Sequence, residues 1–366
     1  MTLLRAIGLM SGTSMDGVDV ALIETDGQNR LMLGPCGFRP YAEADRALLR
    51  EALAEAVGIH DRHERPGAVA RAEAMITARH ASAAMEFMAA YSVDPESVDV
   101  IGFHGQTVLH RPEQRLTVQI GDGPELARLL GRPVVYDMRA ADVAAGGQGA
   151  PLVPAFHRAL VEAADLVLPV GVLNLGGVGN LTLVRDGDPV SCDTGPANAL
   201  IDDLMMERTG VAMDRDGEAA SRGRIDEAAL AALMDHPYFD RKPPKSLDRN
   251  AFSRAAVTHL STEDAAATLT AFTAASVAAL WKHLEEKPQA VIVCGGGVRN
   301  PTLMRMLAER LPCTVEAAEV YGWKADAIEA QAFGYLAVRS LQGLPLTFPT
   351  TTGAPVAMTG GVLAKP

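Results

Sequence analysis

Ile7-Gly8-Leu9-Met10-Ser11-Gly12-Thr13-Ser14-Met15-Asp16-Gly17-Val18-Asp19 is the stretch on which the reading of the fold turns. It closes an apolar run that starts at Leu4, makes a Gly/Ser/Thr turn, and enters a second apolar run over 18–25. After the turn Asp26-Gly27, residues 31–38 supply a third strand. The same order returns after Leu166. Residues 171–175 are apolar, Gly176-Gly177-Val178-Gly179-Asn180 is a turn, and 181–184 are apolar again. Asp186-Gly187-Asp188 then leads to a short strand over 189–192. Two halves that begin alike and only later turn helical imply an internal duplication.

Working outward, residues 45–56 and 68–91 read as helices, and 98–103, 116–120 and 134–136 as strands. Pro124 opens a helix at its favoured first position. Residues 291–294 run into Gly295-Gly296-Gly297, with a helix expected over 302–309. Ala197, Leu200, Ile201, Leu204 and Met205 share one face of another helix, which follows Asp193-Thr194-Gly195-Pro196. The class is α/β. The glycine-rich 140–151 segment reads as a hinge, which divides the chain into domains 1–150 and 151–366. Residues 235–250, with three prolines and alternating charges, read as a loop or lid.

Composition removes several classes. At 366 residues the length favours two domains. A net charge of −12 argues against nucleic acid or an anionic membrane surface as partner. Four cysteines without a CxxC pair argue against a disulfide scaffold or a structural zinc site. Only five apolar-leaning residues follow Arg5, too few for an export signal, so a cytoplasmic protein is expected. The uncharged stretches 166–184 and 265–281 read as strands around turns and as a buried helix, not as membrane spans.

The turns carry the chemistry. Glycines let backbone N–H groups approach a phosphate, and hydroxyls donate to its oxygens, so the 12–19 turn suits a nucleotide. Asp16 or Asp19 could hold a hydrated Mg²⁺ beside the phosphates. Gly176-Gly177 repeats the feature in the second half, and Gly295-Gly296-Gly297 would let adenine or ribose lie against bare backbone. Each turn alone is equally a tight glycine hairpin; together they fit one nucleotide site. GxxxxGK[ST] is missing, which argues against a P-loop enzyme. His104, Gln106, Asp122 and Arg139 follow apolar strands, where α/β proteins place ligand groups. Asp193 reads either as a general base or as a helix N-cap, and Glu329 as a helix charge.

With these motifs in view the chain resembles the anhydro-N-acetylmuramic acid kinases over nearly its whole length. The resemblance rests on the 7–19 stretch, Phe103-His104-Gly105-Gln106-Thr107, Asn174-Leu175-Gly176-Gly177-Val178-Gly179-Asn180, Asp193-Thr194-Gly195-Pro196-Ala197-Asn198 and Cys294-Gly295-Gly296-Gly297. Ala197 stands where the family pattern leads one to expect glycine. The resemblance implies a duplicated two-domain actin-like, ribonuclease H-like fold with ATP in an interdomain cleft. It implies opening of the 1,6-anhydro ring with phosphorylation of O6 during cell-wall recycling, in a homodimer. It also implies site residues. ATP would meet Gly12, Thr13, Ser14, Met15, Asp16, Gly17, Val18, Asp19, Gly176, Gly177 and Gly295–Gly297, with Mg²⁺ near Asp16. The base would be Asp193, and the sugar contacts would include His104, Gln106, Asp122, Arg139 and Glu329. Other superfamily chemistries, such as a hexose kinase, a phosphohydrolase or a non-catalytic ATP-driven clamp, would keep the same turns.

Overall fold

The computed structural model describes residues 2–12 and 14–366, so Thr13 lies outside the described residues. The chain forms two compact units, one running to Asp165 and including Ala327–Pro366, the other Leu166–Asp326.

In the first unit β1 (Leu4–Met10), β2 (Gly17–Thr25) and β3 (Leu31–Pro40) form an antiparallel meander. β4 (Val100–Phe103) lies parallel to β1. β5 (Gln106–Arg111) and β6 (Leu116–Ile120) make a separate ribbon, and β7 (Val134–Tyr136) lies parallel to β4. The second unit repeats the scheme. β8 (Val170–Leu175), β9 (Val178–Val184) and β10 (Val190–Pro196) are the meander, β11 (Ala290–Cys294) is parallel to β8, and β12 (Thr314–Ala317) is parallel to β11. The orders β3-β2-β1-β4-β7 and β10-β9-β8-β11-β12 are the same, so the duplication expected from the paired hairpins is present in the strand order. β13 (Val362–Ala364) extends only the first sheet, pairing antiparallel with β7.

Domain limits differ from expectation in two places. The segment 140–151 is no hinge but a pinned part of the first unit. Its buried Asp142 accepts the Gly149 N–H at 2.6 Å and the hydroxyls of Thr347 and Thr352 at 2.5 and 2.7 Å. The boundary therefore falls after Asp165 rather than after residue 150. The chain from Ala327 onward returns to the first unit because helix Ile328–Leu341 packs on β1, β2 and β4.

Helix and sheet meet there backbone to backbone. A Cβ at Gly8 would run into the Ala330 carbonyl, and one at Gly102 into the Phe333 carbonyl. On the opposite face of the sheet Ile7, Leu9, Val20, Ile76, Ile101 and Phe103 fill the core. In the second unit helix Thr262–Ala279 plays the central part, packing on β10 and on the helices Asn198–Thr209 and Pro301–Arg310. Residues 262–283 are long and apolar enough to cross a membrane, but most of that surface is buried inside the unit, as read from the sequence.

Gly8→Ala should therefore destabilise the protein by roughly 3 kcal/mol or more, since neither backbone can yield without moving the sheet. A denaturation midpoint within experimental error of the parent would show that helix and sheet slide apart freely.

Candidate active site

Both units gather their chemistry at the carboxyl ends of the parallel strands, the usual place for ligands in open α/β sheets. In the second unit β9 and β10 place Asp193 directly opposite Asn180, and a bulge follows at Thr194 before Gly195 pairs with Gly179. Opposed residues share a face, so the Asn180 Nδ2 donates to Asp193 Oδ1 at 2.9 Å. The Leu247 N–H donates to Oδ2 at 2.7 Å. Asp193 is thus a strand residue. Helix Asn198–Thr209 begins at Ala197 without a side-chain cap, so the N-cap reading of Asp193 is set aside.

That helix start is served instead by the glycine turn. The N–H groups of Ala197 and Ala199 donate to the Gly177 carbonyl, and that of Asn198 to the Gly176 carbonyl, all at 3.0–3.1 Å. A trans peptide points its C=O and N–H in opposite directions, so the Gly177 N–H faces away from the helix.

The glycines expected to meet ATP fall into two kinds. Gly17 is packed against Phe38, Gly295 has φ +78° and sits on Asn174 and Leu175, and Gly297 presses on Leu175. The fold itself requires these three. At Gly12, Gly176, Gly177 and Gly296 a Cβ would meet nothing closer than 3.6 Å. The protein does not need glycine there, whereas a close-lying ligand would.

In the first unit the end of β1 meets the turn after β4. Ser11 Oγ donates to Gln106 Oε1 at 2.7 Å, Tyr41 Oη donates to Ser11 Oγ at 2.9 Å, and Gln106 Nε2 donates to the Gly12 carbonyl at 3.2 Å. Gln106 therefore braces the 12–19 turn from below. His104 is buried; its Nδ1 bonds the Gly105 carbonyl at 2.8 Å, and Arg139 Nη2 lies 3.3 Å from its Nε2. With Nδ1–H donating, Nε2 accepts from the guanidinium, which fixes a neutral tautomer. Burial first, and then the Arg139 charge, pull the His104 pKa down to about 3. Arg139 also donates to the Gly149 carbonyl at 2.9 Å, while its buried Nε has no partner among the described residues. Glu329, in the first turn of helix Ile328–Leu341, keeps a solvent-accessible side chain. Desolvation nevertheless raises its carboxyl, with Arg139 opposing the shift.

A family model described as anhydro-N-acetylmuramic acid kinase matches residues 4–365. The chain belongs to the anhydro-N-acetylmuramic acid kinase family. A family member from Azorhizobium caulinodans is 59% identical over 99% of this chain and 100% of its own. One from Rhodopseudomonas palustris is 56% identical over the full length of both. Among solved structures, component A of (R)-2-hydroxyglutaryl-CoA dehydratase from Acidaminococcus fermentans aligns at a TM-score of 0.48 with 11% identity, over 93% of this chain and 99% of that one.

Set against the residues that the resemblance to anhydro-N-acetylmuramic acid kinases implies, the structure brings His104, Gln106 and Arg139 together and sets Glu329 within electrostatic reach of Arg139. Asp122 is bonded to none of them; it is the exposed N-cap of helix Gly123–Leu130, its Oδ1 accepting the Glu125 N–H at 2.9 Å. It lines a cavity of about 410 Å³ with Arg62, Arg65, Glu73, His104 and Tyr136. In the 12–19 turn Ser14 Oγ donates to the exposed Asp16 Oδ1 at 2.8 Å, Met15 takes a positive φ of 52°, and Val18 is buried in β2 with Asp19 beside it. Around Asp193 stand Asn180, from the 174–180 turn, and Tyr238, Lys245 and Leu247, from the 235–250 segment, none of them among the site residues that the sequence suggests.

His80, His104 and His157 are all buried in the first unit, and burial lowers their pKa values to about 4, 3 and 3. In the unfolded chain they protonate near 6.5. Stability from keeping them neutral is full above that value and is lost as pH falls from 6.5 toward 3–4. Each should cost roughly 1.4 kcal/mol per pH unit on the acid side. The denaturation midpoint should therefore drop between pH 7.5 and 5, with the three imidazoles still neutral by NMR at pH 5. Imidazoles that titrate near 6.5 in the folded protein would contradict this.

Proposed function

We propose that this protein is an ATP-dependent kinase acting on 1,6-anhydro-N-acetylmuramic acid. It opens the anhydro ring with water and phosphorylates O6, giving N-acetylmuramic acid 6-phosphate and ADP during cell-wall recycling. Family membership supports the substrate class. The observation that carries the chemistry is Asp193, a carboxylate held by one donor on each oxygen. A carboxylate oxygen has two acceptor positions, so each keeps one for a water. Burial raises its pKa against the pull of Asn180, Leu247 and Lys245, which strengthens it as a base.

Asp193 takes a proton from water as that oxygen bonds to the anomeric carbon. The C1–O6 bond breaks, and O6 receives the γ-phosphoryl group as ADP leaves. The phosphoryl group captures the departing oxygen, so a second carboxyl to protonate it, as in glycosidases, is not needed. The open faces at Gly12, Gly176, Gly177 and Gly296 suit the nucleotide. Arg139, with an unpartnered buried Nε, and Glu329 suit the sugar, with His104 and Gln106 fixing the turn behind them. Asp122, already engaged as a cap, could offer the sugar only its remaining oxygen.

Magnesium neutralises phosphate charge when bound with the nucleotide. Among the described residues no three His, Cys, Asp or Glu side chains cluster as a metal site, so the exposed Asp16 would hold the ion through water beside the phosphates' own oxygens. We also expect a cytoplasmic homodimer.

Asp193→Asn should lower turnover about 10²–10⁴-fold while ATP still binds. One oxygen becomes an NH₂ facing a donor, so a stability loss of about 1–3 kcal/mol should accompany it. In heavy-oxygen water the label should enter the sugar at the anomeric carbon; label in phosphate alone would leave only ATP hydrolysis. Gly177→Val, at an open face, should fold normally and bind ATP more weakly. Unchanged ATP affinity would remove that turn from the phosphate site.

A further inference from the structure

The segment read from the sequence as a loop or lid is closed onto a single residue. Tyr238 Oη donates to the Asp193 carbonyl at 2.6 Å, the Asp193 N–H donates to the Lys245 carbonyl at 2.9 Å, and the Leu247 N–H reaches Oδ2. Lys245 folds back into the same segment. Its Nζ donates to the Tyr238 carbonyl at 3.1 Å and lies 4.3 Å from the centre of the Tyr238 ring. The residue is only 6% exposed. Burying an ammonium is costly, and an apolar side chain of the same length would fill the space more cheaply. The carboxylates that feel its charge are Asp193 and the exposed Asp240, and of the two only Asp193 is also bonded to the backbone of this segment.

On the other side, Asn180 is itself oriented. Its Oδ1 faces Ser191 Oγ at 3.2 Å, a hydroxyl shared with the Leu181 carbonyl at 3.1 Å, and its amide N–H is turned to Asp193. We propose that Asn180 and Lys245 are positioning residues for Asp193. Asn180 fixes Oδ1 from the neighbouring strand, and Lys245, whose carbonyl holds the Asp193 N–H and whose Nζ ties the 238–247 segment together at the Tyr238 carbonyl, keeps the Leu247 N–H on Oδ2 with a positive charge close by. This rests on Asp193 being the base.

The other titratable groups nearby do not compete. Burial pushes Cys192 up to about 12 and raises Tyr238 beyond the working range, so both stay neutral. Asp240, Arg241 and Lys282 act on Lys245 rather than on the carboxylate. Removing a donor or a cation from a carboxylate raises its pKa. Loss of either residue should therefore move the acid limb of kcat to higher pH, with about tenfold lower turnover below the limb for each unit moved.

The test compares pH profiles of kcat, melting temperature and ATP affinity for the full-length parent, Lys245→Met, Lys245→Arg, Asn180→Ala and Asp193→Asn. The inference expects Lys245→Met and Asn180→Ala to bind ATP normally with the limb at higher pH, and Lys245→Arg to restore it. A limb that stays in place in folded Lys245→Met, or that moves equally in Lys245→Arg, overturns the role of the charge. Should Lys245→Met not fold, Asn180→Ala decides, and an unmoved limb there overturns the inference. Inactive Asp193→Asn with unmoved limbs elsewhere removes only the positioning roles, whereas an active Asp193→Asn removes the base and the inference together.

Discussion

Helix Ile328–Leu341 can lie against the first sheet only because β1 and β4 present Gly8 and Gly102 to it. Much of the first unit follows from that approach. It draws the last forty residues back from the second unit, so that β13 can add to β7 and Thr347 and Thr352 can reach Asp142. It also delivers Glu329 to the end of the sheet where Arg139 sits. A side chain at either glycine would lift the helix, and with it the only acidic partner whose charge acts on Arg139 from that helix.

At Asp193 two physical effects oppose each other, and their balance decides what the residue can do. Hydrogen bonds to a charged group contribute about 1.5–3 kcal/mol each, and two are present, with the Lys245 charge added. Desolvation nevertheless outweighs them, since the carboxyl ends above its ordinary range. A fully exposed aspartate would be too weak a base, and a buried one without donors would be protonated and useless as a base. The contacts hold it between those limits.

The strand–turn–strand periodicity made the duplication legible, because alternating apolar runs and glycine turns are local features. The 7–19 and 174–180 stretches run where that reading puts them, from the end of the first strand of each unit into the second. The pairing of Asp193 with Asn180 was legible too, beyond the reading of Asp193 as a base or a cap. Counting six residues outward from Asp186 and Gly187 at the β9–β10 turn reaches Asn180 on one side and Asp193 on the other. Three features were beyond local pattern. The domain limit depends on a helix more than 160 positions away in the chain, the pinning of 140–151 on hydroxyls near residue 350, and the burial of Lys245 on a loop whose composition looks solvated. Long-range packing decided each of them.

The bulge at Thr194 explains how one strand serves two purposes. Asp193 must face Asn180, and three residues later the chain must leave β10 so that Ala197 and Asn198 can dock on the carbonyls of Gly177 and Gly176. In an unbulged pair Thr194 would oppose Gly179, and the helix would start one residue early, out of register with the glycine turn. The extra residue reconciles both contacts. It leaves a cost behind, because the Thr194 hydroxyl is buried with no partner among the described residues, a penalty of about 1–3 kcal/mol. Bulges are retained near functional sites when they aim a side chain. Here the aim couples the proposed base to the proposed phosphate turn through four intervening peptide units of a hydrogen-bonded strand, so their relative placement is built into the second unit before any ligand arrives.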